Sequence, residues 1–166
     1  MIRTVNFAYA AIFLAIFSIA GCAVPTRASV SNHSEVLLWR GRLAVRVESE
    51  KPQSFAAGFE LTGNSLVGQL NLYTPLGSTA ASLSWSSQTA IMRSNGDVRY
   101  FESLDDLIKL ALGTEIPVEA LFAWLAGDNM TVAGWSADLS QHANGRITAL
   151  RTAPAPVAEL RLVLEK

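Results

Sequence analysis

The side chains able to do chemistry in this 166-residue chain are few and poorly grouped. Its two histidines are His33, in a small polar stretch, and His142, in an expected turn. No Gly-x-Ser-x-Gly elbow, His-Glu-x-x-His pair or Gly-rich Lys-Ser/Thr phosphate loop accompanies them. Glu102, Asp105 and Asp106 have the look of an acid cluster, but carboxylates just before and inside a first helical turn are accounted for by the helix dipole. Whether any carboxylates stand at a glycosidase-like separation is a matter of geometry that spacing leaves open. Cys22 is the sole cysteine, so a disulfide within one chain and a zinc site built on two or more cysteines are excluded. No catalytic residue, metal ligand or cofactor site is expected. A net charge of -1, without basic patches interleaved with aromatics, gives no footprint for nucleic acid.

Cys22 has a chemistry of its own. Arg3 gives a short basic start, and Ala8 to Ala20 form an apolar run shorter than the roughly 20 residues of a membrane span. The run closes on Ile19-Ala20-Gly21-Cys22, small residues before a cysteine, which resembles a bacterial lipobox. Residues 1–21 then read as a lipoprotein signal peptide and Cys22 as the acylated first residue of the mature chain. Ala23 at the next position, where Asp would favour inner-membrane retention, resembles lipoproteins sorted to the outer membrane. Residues 22–35 are small and polar and suit a flexible tether. Residues 36–166 are of a size for one domain.

A second unusual residue is Leu76, in NLYTPLGSTA. Thr74-Pro75-Leu76-Gly77 suits a type I turn, with proline second and glycine fourth. Leucine at the third position points a hydrophobic finger into solvent.

The elements that must carry these residues are strands first. LLWRGRLAVRVE alternates Leu43, Val45 and Val47 with Arg42, Ala44 and Arg46, the period of a half-buried strand. SFAAGFELTG places Phe55, Ala57, Phe59 and Leu61 on one side. SLVGQLNLYT carries Leu66, Leu70 and Leu72 in phase, and TAASLSWSS carries Ala81, Leu83 and Trp85. QTAIMRS and DVRYF flank an Asn95-Gly96 turn and form a hairpin. The period then becomes helical: Ser103 caps SLDDLIKLALG, and a second helix begins with Pro117 at its first position and ends at Gly127. Strands are expected again over residues 130–135, 146–151 and 157–165, about eight in all. The whole suggests a curved antiparallel sheet with two helices over its apolar face, where Ala57, Gly68, Ala81 and Ala123 would leave space. Periodicity leaves open whether that face is a packed core or a roofed cavity.

Four segments, IAGC, WRGRLAVRV, NLYTPLGSTAASLSW and FESLDDLIKLALGTEIPVEALFAWLAG, resemble the LolB family of outer-membrane lipoprotein receptors. The most specific feature is the Pro-Leu-Gly turn paired with a Leu-Gly-x-x-Ile-Pro-Val helix link. The resemblance implies an incomplete antiparallel β-barrel with a helical lid over a hydrophobic cavity. It implies a monomer that takes acylated lipoprotein cargo from the periplasmic carrier LolA and places it in outer-membrane lipid. Pro75, Leu76 and Gly77 then form the membrane-insertion loop. From phase and family architecture together, the acyl cavity is expected to draw on Phe55, Phe59, Leu70, Leu72, Leu83, Trp85, Leu107, Leu121, Trp124 and Leu160. Arg40, Arg42 and Arg46 are candidates for carrier docking, against the simpler reading of a solvated strand face. The chain departs from the family after NGRITAL: an aromatic-rich hairpin is missing, and Leu150 runs almost directly into RTAPAPVAEL, whose prolines lack ladder donors. The alternative is a lipid-anchored binding or structural module of the same fold that does not transfer cargo.

Overall fold

The computed structural model describes residues 37–165; the signal segment, Cys22 and His33 lie outside them. Nine strands form one antiparallel sheet: β1 (Leu38–Glu48), β2 (Gln53–Gly63), β3 (Gly68–Tyr73), β4 (Thr79–Trp85), β5 (Ala90–Ser94), β6 (Asp97–Phe101), β7 (Trp135–Asp138), β8 (Arg146–Arg151) and β9 (Val157–Leu164). Their spatial order is β6-β5-β4-β3-β2-β1-β9-β8-β7. The first six strands meander, and β9 returns antiparallel to β1, matching Val45 with Leu160 and Leu43 with Leu162. β6 and β7 remain edges, so the curved sheet is an unclosed barrel.

The alternation sets the inner face. Leu43, Val45 and Val47 are buried while Arg42 and Arg46 are exposed, and Phe59, Leu61, Leu70, Leu72, Leu83, Leu160 and Leu162 continue the same surface. Every residue of the core cluster among the described residues lies between Trp39 and Leu164. Ser34–Lys166 therefore carries its own core and folds as a unit.

Two helices cover the inner face: α1 (Leu104–Leu112) and α2 (Val118–Ala126). The Ser103 hydroxyl accepts from the Asp106 N–H at 3.1 Å, satisfying one of the free donors at the start of α1, and Gly113 ends the helix in the left-handed conformation. Pro117 stands one position earlier than expected: it is the cap of α2, with extended backbone, and the first helical residue is Val118. Phe122 of α2 packs edge-on to Trp39 at 5.4 Å and Trp85 at 6.4 Å, which ties the helix to β1 and β4.

Three strand readings change. β3 begins at Gly68 rather than Ser65, because the Asn64 carboxamide accepts from the N–H groups of Leu66 and Val67 and folds the segment into a turn; Leu66 is therefore exposed. β7 begins at Trp135, not Met130, because Gly134 adopts a positive φ and Val132 pairs back on Trp135. The sheet has nine strands rather than about eight. Ala153 to Pro156 form the β8–β9 connection, as their missing donors require.

Candidate functional site

Between the helices and the sheet lies a void of about 30 Å³ whose wall is wholly apolar. Leu43, Phe59, Leu61, Leu70, Leu160 and Leu162 reach it from the strands. Ile108 and Leu112 of α1, Ile116 of the link, and Leu121 and Leu125 of α2 close it from above. It has room for no more than a water or two, and a wall without polar atoms gives water no partner there. The cavity implied by the family resemblance is thus nearly shut in this conformation. The small residues that were to leave space do not line it. At Gly68 the space is occupied: a Cβ there would fall 2.4 Å from the Trp85 indole.

Of the ten acyl-cavity candidates, the structure brings Phe59, Leu70, Leu121 and Leu160 to the void wall. Leu72, Leu83, Trp85, Leu107 and Trp124 are buried in the core outside that wall. Phe55 is half-buried in a separate groove at the end of α1. Leu43, Leu61, Ile108, Leu112, Leu125 and Leu162 had the right phase on the expected elements. Ile116 sits in a connection without periodicity, and its signal is its place in the Leu-Gly-x-x-Ile-Pro-Val link, between Glu115 and Pro117.

Few polar ties hold the helices down. The His142 ring donates from Nε2 to the Leu125 carbonyl at 3.0 Å, and the Trp124 indole donates to the Met130 carbonyl at 3.0 Å. Arg151, buried on β8, donates to the Glu115 carbonyl of the link at 3.5 Å and to the Pro156 carbonyl at 3.1 Å. Its Nε and the buried Thr114 hydroxyl have no partner among the described residues. On the outer surface of the link, Lys109 Nζ lies 2.7 Å from Glu115 Oε1. That hydrogen bond raises the lysine pKa and lowers the glutamate one. The rest of the hold on the helices is apolar packing.

The Leu76 turn has the geometry its residues dictate. Gly77 N–H bonds the Thr74 carbonyl at 2.9 Å, and Thr74 N–H bonds the Ser78 carbonyl at 2.9 Å. Gly77 takes φ +83°, a value open to glycine, which closes the tight turn back into β4. Leu76 is left 96 % exposed, against 1 % for Leu72 on the same hairpin.

Arg40, Arg42 and Arg46 share the outer face of β1. Arg40 pairs with Glu60 at 2.9 Å and Arg46 with Glu48 at 3.6 Å, while Arg42 has no ion pair among the described residues. No group of three or more His, Cys, Asp or Glu able to hold a metal ion occurs among those residues. None of their helices is long and apolar enough to cross a membrane.

The family described as outer membrane lipoprotein LolB matches residues 38–158, a span that includes both helices, the Leu76 turn and all of the void wall except Leu160 and Leu162. The chain belongs to the LolB family. An outer-membrane lipoprotein LolB of Bordetella pertussis is 35% identical over 125 residues, covering 74% of this chain and 63% of the relative. One from Shewanella loihica is 29% identical over 121 residues, covering 69% and 55%. One from Neisseria meningitidis is 32% identical over 105 residues, covering 63% and 52%. This LolB-family chain therefore spans between about half and just under two thirds of the relatives' length.

Proposed function

We propose that this chain receives acylated lipoproteins from a LolA-like periplasmic carrier, shelters their acyl chains between sheet and helices, and releases them into the outer membrane. Cys22, outside the described residues, carries the acyl anchor in this reading and holds the protein at the periplasmic side of that membrane. No bond is made or broken and no nucleotide is used. The observation that carries the reading is the exclusively aliphatic and aromatic wall beneath two helices that are held mainly by apolar contact.

The nearly closed void makes the helices a lid that must lift to load. Burying a large aliphatic side chain is worth about 1.5–3 kcal/mol, and burying an acyl methylene about 0.8 kcal/mol. Roughly two to four methylenes therefore offset each lid side chain drawn off the sheet. Acyl chains long enough to anchor a lipoprotein can replace the contacts of Ile108, Leu112, Ile116, Leu121 and Leu125. An empty lid closes, and a loaded one is propped open at little net cost.

Leu76 serves the last step. One buried leucine, at about 1.5–3 kcal/mol, is a reversible contact with lipid rather than an anchor. The test mixes carrier charged with a lipoprotein with residues 34–166 and follows the cargo by co-purification. Cargo is expected to move to this chain. Cargo that stays wholly on the carrier would overturn the transfer reading in favour of a binding module.

A further inference from the structure

A cleft of about 460 Å³ opens on the outer face of the sheet, at the foot of the Leu76 turn. It exists because Gly58 has no side chain. The register places Gly58 between Arg42 of β1 and Tyr73 of β3, whose backbones stand two strand spacings, about 9–10 Å, apart, with the Tyr73 ring lying against the glycine. Thr74 and Pro75 close the end nearest the tip.

The charges are layered. Arg42 lies in the row nearest the turn and has no ion pair among the described residues. The carboxylates of the cleft are set back by two residues, about 7 Å along the strand. Glu60 there is already bonded to Arg40 at 2.9 Å, and Glu165 lies beside Arg40, its N–H on the Arg40 carbonyl. From the tip inward the order is an exposed leucine, then an unpaired arginine with a tyrosine and a threonine, then the Arg40–Glu60 pair and Glu165, where one carboxylate exceeds the cations. A phospholipid offers the matching order of hydrocarbon and then phosphate, and aromatic side chains favour that boundary.

We propose that this slot takes the phosphate of a phospholipid headgroup, with Arg42 as its charged donor and Thr74 and Tyr73 flanking it, so that the molecule docks on lipid in one orientation with Leu76 inserted. The assignment rests on the membrane role proposed for Leu76 and adds to it a second, polar contact. A guanidinium suits the site because it donates in a planar fork to phosphate oxygens.

The test measures binding of residues 34–166, which hold the whole core, to two kinds of vesicle. One is phosphatidylcholine; the other is digalactosyl diacylglycerol, which has the same acyl region and no phosphate. The unaltered domain is expected to bind the phospholipid about tenfold more tightly, the weight of one hydrogen bond to a charged group, since phosphatidylcholine has no net charge to attract the arginine from a distance. Arg42→Gln should abolish that preference and leave galactolipid binding intact. Gly58→Val should do the same while keeping the arginine. A Cβ at Gly58 meets Tyr73 at 3.4 Å, an ordinary contact, and valine suits a strand, so the variant keeps its fold. Equal binding of the unaltered domain to both vesicles would overturn the proposal, as would an Arg42→Gln loss equal on both. So would an Arg42→Gln variant with unchanged vesicle binding but slowed uptake from the carrier, which would give the arginine to the carrier. Leu76→Ser is expected to weaken both kinds of binding. If it weakens neither while the phospholipid preference persists, the Leu76 reading fails and the slot stands.

Discussion

Leu125→Ala should make the protein less stable and a better acyl binder at once. Leu125 is 3 % exposed, on the lid side of the void. Truncating a buried leucine costs about 2–5 kcal/mol, and a site that already adjoins empty space collapses poorly, so the upper half of that range is expected. For a domain of this size each kcal/mol lowers Tm by roughly 3–5 °C, so Tm should fall by about 10–25 °C. The same truncation enlarges the void and removes a contact that lid opening must break. Easing that step by about 1.5–3 kcal/mol raises the open population roughly tenfold or more. The control is Leu83→Ala, fully buried on β4 outside the void wall, with a comparable loss of stability. Thermal unfolding by circular dichroism gives the first quantity, and titration with a fluorescent fatty acid the second. Only Leu125→Ala should gain acyl affinity. Equal gains in both variants would mean that general loosening admits the probe, and the lid argument would fall.

Leu76→Glu should leave stability unchanged within about 0.5 kcal/mol, since the side chain touches solvent. The variant should accept cargo from the carrier yet fail to deliver it into liposomes; normal delivery would remove Leu76 from the insertion step. Ser103→Ala deletes the cap of α1 and should cost about 1 kcal/mol, read by urea unfolding. Hydrogen exchange in the 113–117 link should show two pH limits set by Lys109 and Glu115. The glutamate pKa is lowered by the lysine hydrogen bond and, further off, by Arg151, with Asp106 opposing. Its stabilisation is thus complete above the ordinary carboxylate range and lost as pH falls through the lowered value. The lysine pKa is raised, so its contribution is present at neutral pH and lost as pH rises past that raised value. Glu115→Gln should erase the acid limit; an acid limit that persists would show that another group sets it.

Strand periods carried the architecture well because one face of each strand is buried, and a period of two then leaves little choice of register. Ser103, Gly113 and Gly127 marked three helix ends for local reasons, and the Thr74–Gly77 turn followed from its own residue types. The void wall was harder to see. Leu70 and Leu72 are indistinguishable by alternation, yet Leu70 reaches the void and Leu72 does not. That difference is set by where α1 and α2 come to rest, which no local pattern encodes. Gly68 misled for a related reason: a missing side chain marks space only when no neighbour fills it, and here the Trp85 indole does. The Gly58 slot escaped notice because it depends on cross-strand neighbours, Arg42 and Tyr73, that are distant in sequence.

One hairpin joins the features on which the proposed function depends. Leu70 forms part of the void wall, and Leu76, six residues later, is the exposed tip. At about 3.4 Å per residue the two lie no more than roughly 20 Å apart, less than the hydrocarbon core of a bilayer. The outward residues of the same stretch, Tyr73 and Thr74, border the Arg42 slot. A molecule seated with Leu76 in hydrocarbon and Arg42 on phosphate thus presents the strand that lines its void end-on to the membrane. Acyl chains leaving the lid have a short passage along β3 and need not cross open water, where each exposed methylene would add about 0.8 kcal/mol to the barrier. Orientation at the surface, more than strength of attachment, is then what the hairpin contributes to delivery.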